Sequence, residues 1–501
     1  LTIYNPDYIQ KVNQIGIQML RWPGGNHANS YNWKMNQIIL PGYRKNSPDE
    51  TIIDAIGFIE NVNSEMTITI NYGTMTAQDA ADMVEFLNGP STTEWGSLRA
   101  SQGYLNPLNI EYFEIGNENG QSHTWDNCWS AEDAMKYFMG GEEERRGFID
   151  YVENPFKGDF FQATTGMSNY YLRFSPVKNL EIQWIESTRE TLSSLIEEFG
   201  GSYILDSLFE YIPEVNNFSN VPSNVMVFSV DTLSGEIQFG NGNNGRAPTD
   251  SSFFLVEYTV YDQDGFLDYA RAMRAVESSI PIKIGATMLP IDGENVIPIE
   301  IDSLSEIFTE MDFWILHQYN SGTPYNNYQL RRQLSDNRIS NMIDRQNLIQ
   351  DFLNYTNINR EIGLAITEWN MFLKDTYQPI DRTIECAIFT TQWMVGILNG
   401  EMNGNFNFNY AEQFALHGGN LSLISVYGEP HRVISPTAYV FKGFKPWVNM
   451  ELLPLIIESP EELAYDKEIE LIQTAVSRNI TGDTLRMVIT NNSEIDTIRC
   501  N

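Results

Sequence analysis

Cysteine is scarce in this sequence. The 501 residues hold Cys128, Cys386 and Cys500, which lie far apart and match no metal or redox spacing. A disulfide scaffold is excluded, and thiol catalysis is disfavoured. Basic residues are also few. Lys and Arg number 31 against 66 Asp and Glu, a formal net charge of −35. Such a surface repels phosphate backbones and anionic membranes, so no nucleic-acid partner is expected. It suits a neutral or cationic substrate. No run of about 18 apolar residues occurs, so no membrane-spanning segment is expected. No secretory leader is visible, an absence that excludes nothing in a chain that opens on Leu1 and is expected to start inside a longer protein. No dinucleotide fingerprint follows a strand, and the Asx-Gly turns match no EF-hand loop. No metal and no cofactor are therefore expected.

What is present is material for large cores. Hydrophobic residues make up 42% and aromatic residues 12%. The chain exceeds what one core usually supports, so two or three domains are expected. Helix-like and strand-like segments alternate in the first part. Asn5 to Ile15 reads as a capped helix with Pro6 in its first turn. Apolar strands end at Leu20, Ile70 and Ile115. From about Asp150 to Tyr258 the pattern breaks into β-formers, Asn and Gly, with one helix-like stretch at Ser187 to Phe199. Alternation then resumes, with strands ending at Ala286, Leu316, Thr367 and Tyr410 and helices that include Asp344 to Tyr355. Beyond Phe444, Leu471 to Val476 and Thr484 to Thr490 alternate like sandwich strands.

Alternating strand and helix implies a parallel sheet with crossover helices. The expected fold class is α/β, a (β/α)₈ barrel. Seven strands are visible where eight are needed, and the first is expected to lie upstream of Leu1. A doubly wound open sheet is the alternative. The expected division is residues 1–149 for the first barrel part, 150–258 for an inserted β-rich domain, 259–444 for the second barrel part and 445–501 for an incomplete C-terminal β-sandwich. The inserted text is read either as a polysaccharide-binding module or as a rigid wall.

Two carboxylates stand out by position. Glu118 follows the strand Tyr112-Phe113-Glu114-Ile115, and Glu368 follows Leu364-Ala365-Ile366-Thr367. Either alone reads as a helix cap or a solvated loop residue. In a barrel, however, both fall on the C-terminal rim where active sites are built. With one strand missing upstream they belong to strands four and seven. Glycoside hydrolysis needs one protonated and one ionised carboxyl group, roughly 5–5.5 Å apart in a retaining enzyme.

The flanking text supports this reading. Arg21-Trp22-Pro23-Gly24-Gly25-Asn26, then Tyr31-Asn32-Trp33, resembles the family 51 glycoside hydrolases, mostly α-L-arabinofuranosidases of clan A. Asn71-Tyr72-Gly73-Thr74-Met75-Thr76, Gly116-Asn117-Glu118, His317-Gln318-Tyr319 and Glu368-Trp369-Asn370 follow in that family's order. The resemblance implies a retaining hydrolase with Glu118 as acid/base and Glu368 as nucleophile. It implies that Asn117 binds the sugar 2-hydroxyl and that Asn26 binds the sugar. Arg21 would brace the nucleophile or a hydroxyl, and Tyr319 would donate to the nucleophile. His317 and Trp369 join the candidate substrate-binding residues, the first also readable as a packed strand residue and the second as core. There are departures. Thr367 stands where the family commonly has Asp, and the family's first-strand glutamate has no counterpart here. Gln413 corresponds weakly to a substrate-binding Gln.

The implied substrate is a polysaccharide or oligosaccharide, and the expected location is extracellular or periplasmic. An endo-acting clan A glycanase remains an alternative, as does a non-catalytic carbohydrate-binding or surface protein on the same barrel. The oligomeric state is not legible.

Overall fold

The computed structural model describes residues 2–40, 43–46, 51–119, 131–144, 159–163, 169–172, 175–186, 194, 210–250, 252–288, 291–292, 295–296, 301–320, 328–371, 384–418, 421–425, 433–464 and 467–493. Seven parallel strands form its central sheet and pair in chain order. They are β1 (Met19–Trp22), β2 (Glu65–Ile70), β3 (Tyr112–Ile115), β4 (Lys283–Ala286), β5 (Phe313–Asn320), β6 (Gly363–Met371) and β7 (Phe408–Gln413). With helices between them they make a (β/α) barrel of seven strands among the described residues. Strands covered on both faces read as continuous apolar runs. Accordingly, every residue of β6 is buried, as are five of the six in β2.

Two compact units share the chain. The first comprises Leu1–Arg21, Ile53–Thr67 and Met311–Asn501. Its opening helix, α1 (Pro6–Ile15), starts where Asn5 accepts from the backbone of Asp7 and Tyr8, with Pro6 just inside. It ends at Gly16 in the left-handed conformation, a φ of 79° that glycine tolerates. Tyr8, Val12 and Ile15 pack with Phe58, Val62, Leu423, Ile424 and Ala438. In this unit β5, β6 and β7 run parallel. The strands Glu451–Leu453, Ile472–Arg478 and Leu485–Asn491 make a separate antiparallel sheet. The helix Tyr328–Thr356 starts well before the expected Asp344. Its first half is rich in Leu, Arg and Gln, good helix formers without an apolar period, so propensity set the start where periodicity could not.

The second unit comprises Trp22–Ile52 and Ile68–Glu310. Here β3 and β4 pair in register, Tyr112 opposite Lys283. The helix Ala77–Asn88 opens on a capping box between Thr76 and Asp79. Fully buried Arg99 donates to the carbonyls of Phe86, Gly89 and Tyr104 at 2.7–3.0 Å, which fixes the turn after that helix. Burial lowers the pKa of this guanidinium. Between β3 and β4 the chain is β-rich, as expected. Long strands Val177–Glu186 and Ser252–Gln263 pair antiparallel, and a hairpin joins Phe228–Asp231 to Glu236–Phe239. Phe239 stacks on Phe254 at 4.3 Å within a core that includes Tyr170, Ile182 and Trp184. The helix expected at Ser187 to Phe199 lies outside the described residues apart from Ser194.

Candidate active site

Glu368 is not beyond its strand, as its sequence context suggested, but inside it. Leu316 pairs with Ile366 and His317 with Glu368, so Thr367 is the extra residue of a β-bulge. In a regular strand successive side chains point to opposite faces. The bulge lifts that constraint, and one imidazole meets both neighbours. His317 Nε2 lies 3.0 Å from Thr367 Oγ1, and His317 Nδ1 lies 3.6 Å from Glu368 Oε2.

Glu368 is 6% exposed, and its carboxylate has a donor on each oxygen. Arg21 Nη1 donates to Oε1 at 2.8 Å. Tyr319 Oη donates to Oε2 at 2.7 Å. Tyr319 is held in turn, since its carbonyl accepts from Arg338 Nη2 at 2.7 Å and its ring meets Phe414 edge-on. Burial lowers the pKa of Arg338. A guanidinium and a phenol thus each donate one hydrogen bond to this carboxylate, one per oxygen. Arg21, His317, Tyr319 and Glu368 thus come together in the first unit.

Asn117 and Glu118 belong to the second unit. The turn after β3 begins at Gly116, where φ is 83° and an added Cβ would lie 1.9 Å from Asn119 Oδ1. Only glycine fits there. Glu118 itself has a φ of 51°, a left-handed conformation that a Glu adopts at a cost of about 1–2 kcal/mol. Asn117 is 1% exposed. Its N–H donates to Asn29 Oδ1 at 3.1 Å, and its carbonyl accepts from Asn29 Nδ2 at 2.9 Å. Tyr137 Oη donates to the Ile115 carbonyl at 2.8 Å, just before the turn.

Two residues that the sequence left open to two readings are buried here. Trp369 packs as core. It is 1% exposed, stacked on Trp393 at 5.3 Å and flanked by Phe441, so its indole faces are already covered. The reason is alternation: next to Glu368 on the strand, it turns to the helix layer. His317 is a packed strand residue, 5% exposed at the side chain. Asn26 opens the 3₁₀ turn Asn26–Ser30, and its side chain lies outside the described residues. Sequence reasoning missed Asn29 and Tyr137. The first was signalled weakly, as a second Asn in the loop after Arg21; the second carried no signal.

Comparison with known proteins adds independent observations. Residues 11–139 match the model of the α-L-arabinofuranosidase 1 domain. An intracellular exo-α-(1→5)-L-arabinofuranosidase of Bifidobacterium longum is 30% identical over 167 residues, 31% of this chain and 27% of that one. One from Halalkalibacterium halodurans is 27% identical over 124 residues, 23% of this chain and 25% of that one. The chain therefore matches about a quarter of the length of these curated relatives. Among solved structures, a family 51 α-L-arabinofuranosidase from Bifidobacterium longum superposes with a TM-score of 0.58 at 14% identity, covering 97% of this chain and 75% of that one. The α-L-arabinofuranosidase of Thermotoga maritima gives 0.53 at 15% identity, with the same coverage. The chain is similar to α-L-arabinofuranosidases in sequence and to the family 51 structures in fold. The match to the α-L-arabinofuranosidase 1 domain spans the stretch that carries Arg21, Asn29, Asn117 and Glu118. The structural likeness shows the barrel.

Proposed function

We propose that this protein is a retaining glycoside hydrolase that removes α-L-arabinofuranosyl groups by double displacement. The observation that carries the reading is Glu368, buried in the C-terminal half of a barrel strand with Arg21 and Tyr319 donating to its two oxygens. That the two carboxylates serve one sugar is part of the proposal.

In the first step a Glu368 oxygen attacks the anomeric carbon. The bond to the leaving oxygen breaks, and Glu118 gives that oxygen its proton. The product is a glycosyl ester on Glu368 and a carboxylate on Glu118. In the second step Glu118 takes a proton from water. The hydroxyl oxygen attacks the anomeric carbon and the ester bond breaks. Both glutamates return to their starting states, and the sugar keeps its anomeric configuration. Asn117 would hydrogen-bond the 2-hydroxyl, a contact that tightens as charge develops on the ring. Arg21 and Tyr319 would hold the Glu368 carboxylate at its attack angle. His317 supports it from the neighbouring strand.

The names of the curated relatives favour α-(1→5)-linked arabinosyl oligomers as substrate. Their intracellular designation favours short oligosaccharides over intact polymer, and it leaves the expectation of secretion without support. Among the described residues no helix is long and apolar enough to cross a membrane. The test is hydrolysis of a panel of p-nitrophenyl glycosides by the wild type, Glu118→Ala and Glu368→Ala. Turnover of the α-L-arabinofuranoside, lost in Glu368→Ala and restored in part by azide in Glu118→Ala, is the expected result. Full activity in either variant would sink the mechanism. Preference for another glycone would move the substrate.

A further inference from the structure

We infer that Asn29 is a positioning residue that sets the direction of Glu118 by acting as a one-residue strand partner for Asn117. The inference rests on the reading of Glu118 as acid/base. Regular pairing runs out at this point of the sheet. Gly116 N donates to the Ile70 carbonyl at 3.1 Å, and the chain then turns. The next backbone polar pair, on Asn117, is buried and needs partners. Asn29 supplies both, Oδ1 accepting from Asn117 N at 3.1 Å and Nδ2 donating to Asn117 O at 2.9 Å. Two hydrogen bonds across one residue fix the peptide planes on either side of it, as a neighbouring strand would. The second of those planes leads directly into Glu118, whose left-handed φ of 51° needs a fixed approach.

Asn29 is itself built in. It is fully buried in the 3₁₀ turn Asn26–Ser30. Its carbonyl lies against Gly73, where an added Cβ would come within 2.4 Å. Thr74, whose Oγ1 is 3.5 Å from that carbonyl, is tied at 2.8 Å to Asn71. The Asn amide carries its donor and its acceptor on two separate atoms, one for each backbone group of Asn117. Aspartate offers acceptors alone and alanine neither.

The test separates protonation from folding. The full chain is assayed on two glycosides of the glycone the wild type hydrolyses. One has a 2,4-dinitrophenyl leaving group, which departs without a proton. The other has an alkyl or sugar leaving group, which needs one. The ratio of the two kcat/KM values does not depend on the fraction of protein that is folded. Asn29→Ala should lose about 100-fold on the poor leaving group, the scale of a misplaced catalytic group, and no more than about 5-fold on the activated one. Asn29→Asp keeps the size and one acceptor but sets an oxygen against the Asn117 carbonyl. It should show the same selective loss. Equal losses on both substrates, or none, would overturn the inference while leaving the glycosidase reading intact. A wild type that cleaves neither glycoside would overturn the reading and the inference with it.

Discussion

Arg21 and Glu368, 347 residues apart in sequence, form an ion pair of 2.8 Å whose side chains are 7% and 8% exposed. Breaking a buried pair by removing one partner costs about 3–5 kcal/mol, because the other charge stays buried and uncompensated. Arg21→Ala is therefore expected to lower the thermal midpoint by several degrees and to cut kcat/KM at least about 100-fold. Arg21→Lys keeps the charge but loses the planar fork, and should fall between the two. Calorimetry and steady-state kinetics on the three proteins check this. An unchanged midpoint in Arg21→Ala would mean that the pair is not formed in solution.

Tyr319 acts on the other oxygen of the same carboxylate, and its removal leaves a smaller defect. A hydrogen bond to a charged group is worth about 1.5–3 kcal/mol. Tyr319→Phe deletes the 2.7 Å bond to Glu368 Oε2 and keeps the ring against Phe414. The expected outcome is a fall in kcat of about 10- to 100-fold with little change in KM or thermal midpoint. A KM effect alone would assign Tyr319 to ground-state binding instead.

The bulge at Thr367 makes a separate prediction. Thr367→Val keeps the volume but withdraws the hydroxyl 3.0 Å from His317 Nε2. A buried ring nitrogen left without that partner costs about 1–3 kcal/mol. Activity and stability should both drop, and Thr367→Ser should recover most of each. Failure of Ser to rescue would show that the branched side chain, not the hydroxyl, is what the bulge needs.

The rim of the barrel was legible in the sequence because it is a linear signal. An apolar run of strand length ends in Arg21, Asn71 or the Gly116-Asn117-Glu118 turn, and the polar residue marks the strand's C-terminal end. The bulge was not legible. It inserts one residue into a pairing that links Leu316–His317 to Ile366–Glu368, and no local pattern announces it. Asn29 escaped for the same reason, since its partner lies 88 residues away. The insertion's β character was visible from composition and turns.

Trp369 was open to two sequence readings, and burial separates them. Stacked at 5.3 Å on Trp393, with an interplanar angle of 8°, it is part of the layer between strand and helix. Trp369→Leu should therefore act on stability, with a loss on the order of 2–4 kcal/mol for a truncated core aromatic. KM per folded molecule should stay unchanged. A raised KM at an unchanged thermal midpoint would restore the sugar-platform reading.

Asp264 gives the second unit a pH-dependent contribution to stability. Burial raises its pKa above the ordinary 3.8. The backbone N–H of Ala77, at 2.7 Å, works against that rise, while the charges of Asp268, Asp262 and Asp79 add to it. A carboxyl whose folded pKa is raised binds its proton more tightly when folded. The stability it contributes is fully present below 3.8 and is lost as pH rises through the folded value. Asp264→Asn can still accept from Ala77 but carries no charge. Relative to the wild type it should gain stability at pH 7, and that gain should shrink as pH falls toward 4. Thermal midpoints of both proteins at the two pH values measure the difference. A gain of equal size at both would show that Asp264 titrates alike in the folded and unfolded chains.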